Sequence, residues 1–170
     1  PKGRAACAAL AARLQPVQLA CIYSSDEPKA QQTAAETAAI LGIPWATAAD
    51  LHETRRDTVP FYPRHEDFIA VIQAAMQQPE VLCFGEERFA DAQQRFMLAV
   101  EALCRAHPHE NFALVTHGTV LALALAAWTG QDAFALWRAL KMPAYARLKR
   151  PDYAMLEWCP DLSDSPGGPS

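Results

Sequence analysis

The stretch Asn111-Phe112-Ala113-Leu114-Val115-Thr116-His117-Gly118-Thr119, followed directly by Val120-Leu121-Ala122-Leu123-Ala124-Leu125, constrains the fold of this chain more than any other. Four consecutive apolar residues, Phe112 to Val115, read as a fully buried strand. The change to Thr-His-Gly-Thr and then to Ala and Leu reads as a turn into a buried helix. His117 then stands at the carboxyl edge of a sheet. Open α/β sheets bind ligands at that edge, where the N-terminus of the next helix offers N–H groups and a partial positive charge to an anion such as phosphate. A single histidine there is equally suited to a core or capping role, so its meaning depends on what else the chain brings to the same edge.

With 170 residues, 51% of them hydrophobic and 20% charged, the chain can bury one core and reads as one domain. A formal net charge of -4 leaves no basic field for nucleic acid or for an anionic membrane surface, so neither is an expected partner. The longest apolar run, around Val120 to Trp128, is too short to span a bilayer. Cys7, Cys21, Cys83, Cys104 and Cys159 are widely spaced and form no C-x-x-C pair. They read as reduced, small core residues of a cytoplasmic protein.

The remaining elements follow from periodicity and punctuation. Ala5 to Leu14 predict a first helix, stopped before Pro16, and Leu19 to Tyr23 predict a short strand ending at Ser24-Ser25. Pro28 suits the first turn of a helix through Leu41, and Gly42 its left-handed end. Ile43 to Ala46 read as a short strand and Asp50 to Arg64 as a surface loop. Phe68, Val71, Ile72, Ala75 and Met76 mark one amphipathic helix, and Phe89, Ala92, Phe96, Val100 and Leu103 mark a longer one. After the helix at Val120 to Trp128, a short helix covers Asp132 to Leu140. Tyr145 to Lys149 and Tyr153 to Trp158 then predict an antiparallel pair. The order implies an α/β fold with a mostly parallel sheet, covering residues 1–159, and a Pro/Gly/Ser-rich tail at 160–170 that reads as disordered. Trp128, Trp137 and Met142 read as core, and the His107-Pro108-His109 pair as exposed.

The end of the first strand brings further polar groups to the edge that carries His117. Tyr23-Ser24-Ser25-Asp26-Glu27-Pro28-Lys29-Ala30-Gln31-Gln32-Thr33-Ala34 places two hydroxyls, a flexible cation and a helix N-terminus there. Each can donate to a phosphate oxygen. By itself, a serine pair is as often a helix cap and a lysine a solvated surface residue.

This stretch resembles the Ser-Ser-x-x-x-Arg-Ala-x-Gln-Thr-Ala motif of the histidine phosphatase superfamily, the phosphoglycerate mutase-like enzymes. The strand ending in Thr116-His117-Gly118 resembles that family's second histidine motif, and Leu51-His52-Glu53 its Leu-x-Glu. Gly85-Glu86-Glu87 with the helix to Arg95 resembles its Gly-Glu-Ser and following arginine. Pro1-Lys2-Gly3-Arg4-Ala5 resembles the segment just after the family's first, catalytic strand. Several motifs in one order are specific where any one is weak.

The resemblance implies a three-layer αβα fold and phosphoryl transfer without a cofactor or metal. A first histidine in Arg-His-Gly attacks phosphorus, cations and a second histidine hold the phosphoryl oxygens, and a carboxyl protonates the leaving oxygen. Carried onto this chain, His117 is the second histidine, Glu53 the acid, and Ser25, Lys29 and Gly118 line the phosphate. Lys29 stands where the motif has arginine and lacks its bidentate fork, so Arg56 or Arg55 is expected to reach in. No Arg-His-Gly occurs among His52, His65, His107, His109 and His117. The expectation is therefore a fragment lacking roughly 30 to 40 N-terminal residues, including the first strand and its nucleophile, and inactive alone.

The substrate expected from the resemblance is a small phosphomonoester, with no motif that gives the oligomeric state. A phosphoglycerate mutase is the alternative enzyme, although the segment from Glu53 to Gly85 leaves little room for a long substrate-closing insertion. A non-catalytic phosphate-binding domain is the alternative outside enzymes.

Overall fold

The computed structural model describes residues 2–162. Its elements are α1 (Lys2–Leu14), β1 (Leu19–Ser24), α2 (Pro28–Leu41), β2 (Trp45–Thr47), α3 (His65–Gln77), α4 (Phe89–Ala106), β3 (Asn111–Val115), α5 (Gly118–Thr129), α6 (Ala133–Ala139), β4 (Tyr145–Lys149) and β5 (Ala154–Cys159). Local chemistry sets the boundaries. Pro28 occupies the first turn of α2, and Gly42, at φ 69°, ends it by donating its N–H to the Ala38 carbonyl. The Asp132 side chain accepts the Ala135 N–H at 2.6 Å and so caps α6. The loop from Asp50 to Arg64 carries no helix or strand, as its prolines and charges predict.

Three strands run parallel in the order β2-β1-β3. Alternation along them divides the core between two faces. Ile22, Ala113 and Val115 pack on Ala34 and Ala38 of α2. Tyr23 and Leu114 point the other way, onto Phe96 and Val100 of α4 and Val120 and Ala124 of α5. Helices therefore cover both faces, the expected three-layer αβα arrangement. The β4–β5 hairpin is a separate antiparallel sheet that packs Ala146, Leu148, Met155 and Trp158 against Ala122 and Leu125 of α5. Among the described residues, no helix is long and apolar enough to cross a membrane.

Several burial expectations need correction. Phe112 to Val115 are only half-buried, because β3 lies at an edge of its sheet among the described residues and one side of its backbone ladder is open. Cys7 is buried, but Cys83 is exposed in the connection between α3 and α4, where no packed element covers it. Met142 is 65% exposed on the segment that follows α6. His107 is not an exposed histidine: it ends α4, and its ring is held between Tyr23 Oη at 2.9 Å and Glu110 Oε2 at 2.7 Å. The short strand after Gly42 begins at Trp45, since Pro44 contributes only its carbonyl, accepting from the Ile22 N–H. Of the segment from Pro160, Leu162 is buried and donates its N–H to the Pro143 carbonyl, and residues 163–170 lie outside the described residues.

Candidate active site

Parallel pairing of β1 with β3 aligns Ser24 with Val115, and the Ser25 N–H extends the ladder by donating to the Val115 carbonyl at 3.0 Å. Both chains leave the sheet at this point. Ser25 and His117 consequently meet across the edge, with Ser25 Oγ 2.7 Å from His117 Nε2. Glu27 joins them: its N–H donates to Ser25 Oγ at 3.2 Å and its carboxylate Oε1 lies 3.1 Å from His117 Nε2. His117 therefore turns Nε2 to the sheet edge, between the Ser25 hydroxyl and the Glu27 carboxylate.

Glu53 arrives from the loop after β2. Leu51 anchors that loop by complete burial, and its carbonyl accepts the Thr116 hydroxyl at 2.7 Å. The Glu53 N–H donates to Glu27 Oε1 at 2.9 Å, so the oxygen that accepts this N–H is also the one in ion-pair contact with His117 Nε2. The Glu53 carboxylate itself accepts the N–H groups of Thr119 at 3.0 Å, Val120 at 3.1 Å and Thr54 at 3.0 Å. Two of the helix N-terminal donors that would face an external anion are thus taken by a carboxylate of the chain.

A clamp beneath the site holds the Glu53 loop. Arg95 of α4 gives Nε and Nη2 to the Glu87 carboxylate at 2.9 and 3.0 Å, and its Nη1 reaches the Asp50 and His52 carbonyls at 2.8 and 3.2 Å. Burial pushes the Glu87 carboxyl up, but hydrogen bonds from Arg95 and the Arg55 N–H outweigh it and hold the group below the usual 4.5. Burial, with the Arg95 charge adding to it, pushes His52 below the usual 6.5. Gly85, at φ +73°, lets the clamp loop cross the Glu53 loop closely. A Cβ there would stand 2.1 Å from the Arg55 carbonyl oxygen, which accepts the Glu86 N–H at 3.0 Å. Glu86 then accepts the N–H groups of Asp57 and Thr58 at 2.9 and 2.7 Å.

The structure thus brings His117, Ser25 and Glu53 into one cluster, with Gly118 opening α5 beside them. Lys29 is exposed on the first turn of α2, without an ion pair among the described residues. Arg56 has its guanidinium over the Phe68 ring, 5.6 Å from the centroid, at the rim of an open cavity of about 460 Å³ lined by Val59, Phe61, Tyr62 and Phe84. Arg55 is exposed. Among the described residues, no three His, Cys, Asp or Glu side chains gather as a metal site. Sequence reasoning gave no role to Glu27 or to the Glu87–Arg95 pair as a clamp. The signal for Glu27 was its place two residues after a strand-end serine whose hydroxyl is free to accept its N–H.

Comparison with known proteins adds to this geometry. The model of the histidine phosphatase superfamily (branch 1) matches residues 1–155. Bacillus stearothermophilus YhfR is 27% identical, with a TM-score of 0.71 over 92% of this chain and 81% of that one. A mycobacterial glucosyl-3-phosphoglycerate phosphatase, solved with inorganic phosphate, is 22% identical, with a TM-score of 0.72 over 95% of this chain and 87% of its own. The alpha-ribazole phosphatase of Shigella flexneri is 19% identical, with a TM-score of 0.68 over 99% and 86%. The last two likenesses are of fold. A search of curated proteins matched none.

Proposed function

The chain belongs to the histidine phosphatase superfamily (branch 1), and from that premise we propose that it forms the phosphate pocket of a cytoplasmic phosphomonoesterase acting on a small phosphorylated metabolite through a phosphohistidine. The observation that carries this reading is His117, its Nε2 turned to the carboxyl edge of the sheet beside Ser25. In the proposed reaction His117 and Ser25 donate to phosphoryl oxygens, and Lys29 supplies a cation from the first turn of α2. The Gly118 N–H opens the adjoining helix toward the same anion. Such fixed donors stabilise charge on the transferring group without rearranging during the reaction. Glu53 serves as the acid for the leaving oxygen, a role in which its carboxyl must leave α5 and take a proton. Relatives named as phosphatases of small phosphorylated compounds support the substrate class.

None of the five histidines stands in Arg-His-Gly, so we assign the attack on phosphorus to a histidine outside these 170 residues. Among the described residues, the open edge of β3 and the separation of the β4–β5 hairpin from the parallel sheet support a further strand between them.

The test is hydrolysis of an aryl phosphate by the protein expressed from its natural open reading frame. His117→Ala and Glu53→Ala should each lower kcat by about 10²- to 10⁴-fold. Retention of wild-type rates by both variants would overturn the assignment. Phosphate binding without any turnover would make this a non-catalytic phosphate-binding domain.

A further inference from the structure

Glu27 is the group in the pocket that a phosphate site would least be expected to contain. Its carboxylate is 44% exposed and reaches inward to a histidine whose side chain is only 16% exposed. Oε1 accepts the Glu53 N–H at 2.9 Å and lies 3.1 Å from His117 Nε2, an ion-pair contact, so groups from two different elements converge on it. A backbone N–H and an imidazole nitrogen brought to one anionic oxygen are what a phosphoryl oxygen would meet in the same place. A carboxylate and a phosphoryl oxygen cannot occupy this position together, since both are anionic. The backbone N–H of Glu27 is tied to Ser25 Oγ at 3.2 Å, which fixes the root of the side chain beside the pocket while its length leaves it free to swing out.

We infer that Glu27 is a specificity-determining residue of this pocket: its carboxylate holds the oxyanion position on His117, and phosphate binds only by displacing it. The inference rests on the reading of the pocket as a phosphate site. Its consequence is discrimination by affinity. A bare phosphate anion must break the Glu27 contacts and then tolerate the carboxylate nearby. A phosphomonoester whose leaving group bears a hydroxyl or amino donor gives that carboxylate a new partner and loses less.

The experiment is a calorimetric titration of the protein expressed from its natural open reading frame, and of its variants, with inorganic phosphate at fixed pH and ionic strength. Glu27→Gln keeps the size and one acceptor but removes the charge, and should bind phosphate about tenfold more tightly than the wild type. Glu27→Ala, which removes the side chain altogether, should move the affinity in the same direction, whereas His117→Ala should abolish binding. A purely structural role for Glu27 predicts no gain in either variant, and wild-type or weaker affinity in both would overturn the inference. An equal gain from Glu27→Gln when it is combined with His117→Ala would also overturn it, because the competition would then not be for His117. Absence of binding by the wild type and both Glu27 variants would overturn the phosphate-pocket reading itself, a different result from binding that ignores residue 27. Binding by the variants alone would support the inference in its strongest form.

Discussion

The Glu53 carboxylate closes the N-terminus of α5 on Thr119, accepting its N–H at 3.0 Å and that of Val120 at 3.1 Å. His117 occupies the N-cap position without capping the helix through its side chain. The cap comes instead from a distant loop, which couples the position of Glu53 to the helix that begins at Gly118. A carboxylate suits this end because it accepts at both oxygens and complements the helix dipole. Glutamine has only one accepting oxygen and would turn its NH2 toward one of the N–H groups. Glu53→Gln should therefore cost about 1–2 kcal/mol, nearly as much as Glu53→Ala. Urea denaturation measures the difference, and wild-type stability of the glutamine variant would contradict the contact.

The thiols differ in reactivity as their surroundings differ. Burial pushes the Cys7 and Cys21 thiols up, which lowers the thiolate available to react. Cys83 is exposed. Titration of the folded chain with a chromogenic disulfide should show one fast thiol, reacting about tenfold faster than the rest, and Cys83→Ser should remove that phase. A fast phase that survives the substitution would assign the accessible thiol elsewhere.

Gly85 and Gly42 offer a controlled comparison. Both have positive φ, 73° and 69°, but a Cβ at Gly42 would meet nothing within 4 Å whereas one at Gly85 would meet the Arg55 carbonyl at 2.1 Å. Gly42→Ala should cost about 1 kcal/mol, the strain of a left-handed alanine. Gly85→Ala should cost about 2–3 kcal/mol, because the two loops must also part. Hydrogen exchange at the Glu86 amide separates the causes: its bond to Arg55 should lose protection in the Gly85 variant alone.

Element types were legible in this chain because its punctuation is strong. Pro28 with Gly42, and Asp132 after Gly130, bracket helices whose interiors are rich in alanine and leucine, so propensity and boundary signals agree. Burial of β3 was not legible. An apolar run of four shows that a strand prefers burial but says nothing of whether a neighbour lies on each side. The strand ends put Ser25 and His117 at one edge, since parallel neighbours deliver their carboxyl ends together, whereas Glu53 was named by its motif alone. The direction of each side chain was not contained in them. Glu53 turns to α5 and Glu27 to His117 because backbone N–H groups from other elements await them, and such partners come from segments 26 to 67 residues apart. Arg56 illustrates the converse: an aromatic ring one helix away, Phe68, takes a cation that spacing alone left available to the anion.

Acidification should loosen the Glu53 loop in two stages through the Arg95 clamp. Arg95 Nη1 points at His52 Nδ1 from 3.4 Å, so that nitrogen keeps its lone pair and the ring is neutral. Burial first, and the Arg95 charge second, hold His52 below the usual 6.5. As pH falls through 6.5 the unfolded chain gains a proton that the folded chain refuses, and stability declines until His52 is protonated in the fold as well. Glu87 has the opposite charge type and the same final sense. Burial raises it, the Arg95 hydrogen bonds lower it further, and the net value lies below 4.5, so its contribution is complete above 4.5 and lost as pH falls through the depressed folded value. Urea midpoints measured from pH 7.5 to pH 3.5 should accordingly fall first below about pH 6.5 and again below about pH 4.5. His52→Gln should remove the first stage and leave the second. Glu87→Gln should instead lower stability throughout, by about 2 kcal/mol at neutral pH, because it leaves the half-buried Arg95 guanidinium without its carboxylate. If His52→Gln keeps the upper stage intact, the titrating group lies outside the clamp and the coupling between Arg95 and the Glu53 loop is not the acid-sensitive element.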